Sequence, residues 1–161
     1  MISIYRITPS FMRDNMDRFI QILKQKNYQY WGPKEFMLDL PGKWDFSFAA
    51  SDSSNGDILV GFIICSQKTT FLLHEHKLFV DPLYQRQGIG KMLIRKTLRH
   101  AAEAGVTDYA LNVYPDSESA IALYDKLGMI RMNAVKDSIG LRYYYQGLVS
   151  LILKSIEGKY E

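Results

Sequence analysis

Residues 74–91, HEHKLFVDPLYQRQGIGK, constrain the fold more than any other stretch of the chain. Leu78, Phe79 and Val80 are apolar and stop at Asp81-Pro82. The residue before a proline is pushed out of helical geometry, so this run reads as a strand that ends there. Gln85-Arg86-Gln87-Gly88-Ile89-Gly90 follows, and from Ile89 the apolar pattern turns helical. Two glycines in a loop entering a helix let backbone N–H groups converge on an anion, which the helix dipole also favours. The stretch is a strand, a phosphate cradle and the opening turn of a helix.

The rest of the chain supplies partners for that unit. Ile2, Ile4 and Ile7 suggest a first strand ending at Thr8-Pro9. Ser10 is placed to cap a helix in which Phe11, Met12, Met16, Phe19, Ile20 and Leu23 recur at helical spacing, as far as about Asn27. An aromatic, turn-rich loop then leads into a short second helix. Trp44, Phe46, Phe48 and Ala50 alternate as a strand, and SDSSNGD is a hairpin turn because Asn-Gly suits positive φ. Ile58 to Ser66 and Thr69 to Val80 read as an antiparallel pair.

A helix from about Gly88 to Glu103 buries Ile89, Met92, Leu93, Leu98 and Ala102, and Gly105 stops it. Lys91, Arg95 and Arg99 line another of its faces. The strand Thr107 to Tyr114 is joined to its predecessor through that helix and should run parallel to it. Pro115-Asp116-Ser117 opens a further helix carrying Ala120, Ile121, Leu123, Tyr124 and Leu127. Met129 to Val135 and Leu148 to Lys154 are the closing strands, with Arg142 to Gln146 between them or extending the last. The expectation is an α/β (α+β) fold, one domain over residues 1–161: a mixed, mostly antiparallel sheet with a central parallel pair and helices on both faces.

Composition narrows the function classes. A net charge of +3 over 161 residues is too small for nucleic-acid binding, which needs a clustered basic face. It is compatible with an anionic cofactor. Cys65 is the single cysteine, so no internal disulfide forms and a reducing cytoplasm is expected. The N-terminus has no basic head followed by an apolar signal core, and no apolar run approaches the roughly 20 residues that cross a bilayer. No membrane partner is expected.

The glycine loop fits neither of two common phosphate motifs. The dinucleotide fingerprint needs a third glycine where Leu93 stands. The triphosphate loop needs a glycine at Gln85 and a Ser or Thr at Met92. Gln85-x-x-Gly88-x-Gly90 instead resembles the Gln/Arg-x-x-Gly-x-Gly/Ala motif of the GNAT superfamily of N-acetyltransferases. Residues 120–129, AIALYDKLGM, resemble the later helix of that family, usually Asn-x-x-Ala-Ile-x-Leu-Tyr-x-Lys-x-Gly-Phe. Ser117 stands at the usual Asn and Met129 at the usual Phe. Strand order matches as well, so the resemblance covers nearly the whole chain.

The resemblance implies acetyl-CoA as cosubstrate, held where the parallel pair splays apart. Backbone groups of Leu78, Phe79 and Val80 pair with the pantetheine arm as if it were another strand. N–H groups along Gln85, Arg86, Gln87, Gly88, Ile89, Gly90 and Lys91 hold the pyrophosphate, and Ser117 retains one hydrogen bond to the cofactor. Tyr124 is implied to be the general acid that protonates the departing CoA thiolate. A backbone N–H near Val80 polarises the thioester carbonyl.

The His74-x-His76 pair resembles the His-x-His of arylalkylamine N-acetyltransferases, where it drains the amine's proton through water. Simple alternation puts both on one face, shared with Leu78 and Val80, and turns Glu75 away unless a bulge flips the strand. Structural histidines and a metal pair are the competing readings. A metal site wants a third ligand, and no Cys/His cluster accompanies them, so no metal is expected. Leu111-Asn112-Val113 stands where ribosomal-protein N-terminal acetyltransferases carry Leu-Glu-Val, and an amide cannot take a proton. Tyr143, Tyr144 and Tyr145 resemble the tyrosines with which those enzymes hold a peptide.

The acceptor is therefore a small-molecule amine or a peptide amine. Tyr28, Tyr30, Trp31 and Tyr143 to Tyr145 are candidates for its wall. A non-catalytic acyl-CoA-binding module is the other reading. A homodimer through the last strand is left open.

Overall fold

A computed structural model describes residues 1–24 and 31–158. The expectations for Asn27, Tyr28 and Tyr30 lie outside those residues. One seven-stranded sheet organises the chain. Its strands are β1 (Ile2–Arg6), β2 (Phe48–Asp52), β3 (Ile58–Gln67), β4 (Leu72–Val80), β5 (Asp108–Val113), β6 (Ile130–Asp137) and β7 (Gly140–Leu148), in the spatial order β1-β2-β3-β4-β5-β7-β6. Every neighbouring pair is antiparallel except β4 and β5. The helices are α1 (Pro9–Asp14), α2 (Met16–Leu23), α3 (Pro33–Met37), α4 (Lys43–Phe46), α5 (Ile89–Glu103), α6 (Glu118–Lys126) and α7 (Val149–Glu157).

Both faces of the sheet are covered, which is why β3 reads as a nearly continuous apolar run rather than an alternating one. On one face Val60, Ile63, Cys65, Leu73 and Tyr109 pack with Leu93, Ile94 and Leu98 of α5 and Ile152 of α7. On the other, Leu59, Phe62 and Ile64 meet Met12 of α1, Phe19 and Ile22 of α2, and Phe36 of α3. The parallel pair follows from its connection: α5 carries the chain back across one face, and a crossover of that kind returns the next strand in the same direction.

Several local expectations are corrected. The first helix is broken at Asn15, whose side chain donates to Phe11 O at 2.9 Å, and its cap is Thr8 rather than Ser10. Thr8 Oγ1 accepts from the Phe11 N–H at 3.1 Å. Trp44 and Phe46 belong to the short helix α4, entered through Gly42 at φ 71°, so strand geometry begins only at Phe48. On α5 the buried stripe is Ile89, Leu93, Ile94, Thr97, Leu98 and Ala101, which leaves Met92 and Ala102 exposed. Residues 149–154 are helical, and Arg142 to Gln146 sit inside β7. The last strand therefore cannot pair between copies; the sheet edge at that end is β6.

The helix α7 is held down by charge as well as by burial. Arg95 and Arg99 of α5 both reach Glu157, at 3.3 and 2.5 Å. These two arginines thus fasten two helices. No helix among the described residues is long and apolar enough to cross a membrane.

Candidate active site

The site begins where the β4–β5 ladder stops. The two strands pair only from Leu72 opposite Asp108 to Glu75 opposite Leu111. β4 continues to Val80 and β5 to Val113 without pairing to each other, so they splay. Among the described residues the β5-facing backbone groups of residues 76–80 have no strand partner, which is the edge an extended ligand arm would fill.

A β-bulge lies at the same level. Across the β3–β4 ladder Ile64 faces Lys77 and Cys65 faces Glu75, so His76 is one residue in excess. The bulge overturns simple alternation. Glu75 turns to the face of Leu73, Leu78 and Val80, toward α6, whereas consecutive His76 and Lys77 both face Trp31 on the opposite side. His74 lies with His76, their ring centroids 4.9 Å apart. The histidines therefore do not share the face of Leu78 and Val80, and Glu75 does.

Glu75 is buried between two tyrosines. Tyr124 of α6 donates its hydroxyl to Glu75 Oε2 at 2.5 Å, and Tyr109 of β5 donates to Oε1. Burial raises the Glu75 pKa, and the two hydroxyls partly oppose that rise. Burial, together with the Glu75 charge, holds Tyr124 well above the ordinary tyrosine value. Tyr124 thus stays protonated throughout the neutral range.

A cavity of about 500 Å³ joins these groups, lined among others by Leu78, Ser117 and Tyr124 and by Trp31, His74, His76, Lys77, Phe79, Asn112 and Arg142. Tyr143, Tyr144 and Tyr145 do not line it. Tyr145 is fully buried and accepts from Arg131, whose guanidinium also lies 3.8 Å from the Tyr143 ring centre. Of the expected aromatic wall, Trp31 alone among the described residues reaches the cavity.

Burial depresses both histidines, His74 to about 4 and His76 to about 3, with neighbouring positive charges adding to it. Both are neutral at pH 7. His76 Nε2 is 2.6 Å from Ser66 Oγ, which fixes its ring. No third metal-ligating group gathers with them among the described residues. Lys77 and Arg142 were not anticipated, although a lysine inside the strand run HKLFV was the available signal. Lys77 is 3% exposed, and burial, then the Arg142 charge, lowers it to about 7.

The glycine loop has the geometry of an anion cradle. Asp81 anchors its start, bound by Arg18 at 2.5 Å and accepting from Leu83 N–H at 2.9 Å. Gln85 Nε2 donates to Val80 O at 3.1 Å. Arg86 at φ 65° and Gly88 at φ 79° turn the backbone into α5. Met92 N–H donates to Gly88 O at 3.0 Å and opens the helical ladder, so the N–H groups of Ile89, Gly90 and Lys91 precede it. A Cβ at Gly88 or Gly90 would meet nothing within 4 Å, so the space above the loop is open. Lys91 and Arg86 are exposed beside it, and Gln87 is at its tip. Ser117 stands at the N-cap of α6, facing the cavity. The residues present fit a pyrophosphate with its attached arm.

Comparison with known proteins agrees with this geometry. The family model described as the acetyltransferase (GNAT) family matches residues 9–129. A mycothiol acetyltransferase of Gordonia bronchialis is 31% identical over 104 residues, covering 63% of this chain and 34% of that protein. The N-alpha-acetyltransferase 30 of Xenopus laevis is 32% identical over 109 residues, covering 62% and 36%. The chain thus spans about a third of the length of either relative. The crystal structure of Ard1 from Thermoplasma volcanium superposes with a TM-score of 0.79 at 20% identity, over 91% of this chain and 97% of that one, a likeness of fold.

Proposed function

The chain belongs to the GNAT family of acetyltransferases, and on that premise we propose that it moves an acetyl group from acetyl-CoA to a primary amine by direct attack in a ternary complex. One observation carries the reading. Tyr124, protonated and lining the cavity, stands beside the unpaired edge of β4 along which a thioester arm would lie.

The amine attacks the thioester carbonyl, and a backbone N–H of the unpaired β4 edge holds the oxygen that becomes negative. When the tetrahedral intermediate collapses, the C–S bond breaks and Tyr124 gives its proton to the sulfur. Tyrosine has a single O–H, so the hydroxyl turns from Glu75 to the sulfur as the thiolate forms. Glu75 acts as a positioning residue, keeping that hydroxyl at the cavity wall.

The amine's proton leaves through water to His74 or His76, both neutral and able to accept it. They are weak bases, but the cavity weakens its guest in the same sense. Lys77, an amine held at the same wall, is lowered to about 7. An incoming ammonium meeting the same desolvation and positive charge loses its proton more readily. Asn112 Oδ1 is buried without a hydrogen-bond partner among the described residues and is available to hold the amine. Relatives named for mycothiol and for N-alpha acetylation support a primary amine as the acceptor class.

The test is release of free CoA thiol from acetyl-CoA across a panel of small amines and peptides. Turnover with at least one primary amine is expected. Tight CoA binding with no turnover for any of them would leave a non-catalytic acyl-CoA-binding module.

A further inference from the structure

The geometry points to an anion subsite beside the acceptor amine: Lys77 and Arg142 are placed to bind a carboxylate carried by the acceptor. This rests on the acetyl-transfer reading above. Lys77 Nζ is buried and has no hydrogen-bond acceptor among the described residues. It lies over the Trp31 ring, 5.1 Å from its centre. Arg142 Nε is likewise buried and without an acceptor, while its Nη2 pairs with Asp137 at 2.5 Å. A buried donor with no acceptor costs free energy, and a charged one costs more. Two of them at one end of a cavity mark a place where a ligand supplies the missing oxygens.

Apart from Asp137 on Arg142 Nη2, the charged groups near them are cationic: Lys77 and Arg142 line this end beside the neutral His74 and His76, and Lys68 and Lys43 act on the histidines from nearby. The carboxylates of the cavity are elsewhere. Asp116 and Glu118 come from the start of α6, and Glu75 is turned to the opposite face of β4 and held by tyrosines. A guanidinium and an ammonium together suit a carboxylate, the former offering a planar fork and the latter a point charge. With Asn112 Oδ1 free to take the amine, recognition is two-point: amine at Asn112, carboxylate at Lys77 and Arg142.

A carboxylate close to a primary amine has two sources, the α-carboxylate of an amino acid and an acidic side chain near a peptide N-terminus. Turnover is compared for alanine against alaninamide, and for the peptide amides Ser-Asp-Ala-Ala against Ser-Asn-Ala-Ala. The carboxylate-bearing member of at least one pair is expected to have a kcat/KM higher on the order of tenfold, the usual worth of a charged hydrogen bond. The pair that shows the preference identifies the source. Lys77→Met should shrink that ratio to within about twofold, and Lys77→Arg should restore most of it. A parallel binding arm needs no turnover: N-acetylated Ser-Asp-Ala-Ala amide should bind the CoA complex more tightly than its Asn counterpart, by calorimetry. Equal kcat/KM within both pairs, or a ratio unmoved by Lys77→Met, overturns the subsite. A preference in the binding arm with no turnover for any acceptor overturns the transferase reading and leaves the subsite standing.

Discussion

Tyr124 of α6 and Glu75 of β4 share a hydrogen bond of 2.5 Å across the splay between β4 and β5. The bond holds a cavity-lining hydroxyl that stays protonated at neutral pH beside the unpaired strand edge. In the proposed mechanism it also makes a buried carboxylate the hinge pin for the acid.

Tyr124→Phe should lower turnover by about 10²–10⁴-fold with CoA affinity changed less than twofold. Tyr109→Phe is the control, because Tyr109 also donates to Glu75 but does not line the cavity. Both variants should lose about 1–3 kcal/mol of stability in denaturant unfolding, since each leaves Glu75 one donor short. Only the first should lose most of its turnover. Equal losses for the two would remove Tyr124 as the acid.

The histidines make a prediction about pH. Their pKa values of about 4 and 3 lie below the ordinary 6.5, so neither titrates between pH 6 and 9. His74→Ala with His76→Ala should lower kcat by about 10-fold or more across that whole range without moving the midpoint of the profile. Unchanged kcat makes the pair structural. Stability should fall as pH drops from 6.5 toward 4, because the unfolded chain binds these protons first and the folded one resists them. The double variant should be less acid-sensitive in thermal unfolding.

Lys77 follows the same linkage in a higher pH window. Its pKa falls from 10.5 unfolded to about 7 folded. Below pH 7 both states carry the proton and the full cost of burying it is present. From pH 7 to 10.5 the unfolded state binds more protons, so stability rises with pH. Lys77→Met should therefore raise the melting temperature on the order of 5 °C at pH 6.5, with the gain shrinking by pH 10. A gain that does not depend on pH would mean that Lys77 is not buried as a charge.

Gly88→Val should abolish CoA binding, measured by calorimetry. Gly88 sits at φ 79°, and the side chain would stand in the open space above the loop. Gly105→Val is the matched control, at φ 83° with nothing within 4 Å and far from the cradle motif. It carries the same backbone strain, of order 1–2 kcal/mol. Intact affinity in the Gly88 variant would sink the cradle assignment.

The glycine loop, the parallel pair and the helix of Tyr124 were legible in the sequence because each is local: a proline stop, two glycines, a helical period. The bulge was not, since one extra residue leaves no composition signal. Its trace is a broken alternation, Leu73 and Glu75 followed by Leu78 and Val80, three positions apart where two were due. The reading of Trp44 to Ala50 as a strand failed because a single helical turn from Lys43 to Phe46 is too short to show a period. The last helix was taken for a strand because its apolar run, VSLILKSI, has both spacings. Glu75 between two tyrosines and Lys77 beside Trp31 depend on partners about 30–50 residues away, which no window of local pattern contains.

The surplus residue in β4 is what sets two consecutive side chains, His76 and Lys77, on the Trp31 side of the sheet. Deleting His76 would restore plain alternation from Leu73 to Val80, with Glu75 still against Tyr124 and Lys77 still beside Trp31. The deletion takes away one imidazole and the kink together, so it should distort the cavity more than His76→Ala, which removes the ring and keeps the extra backbone unit.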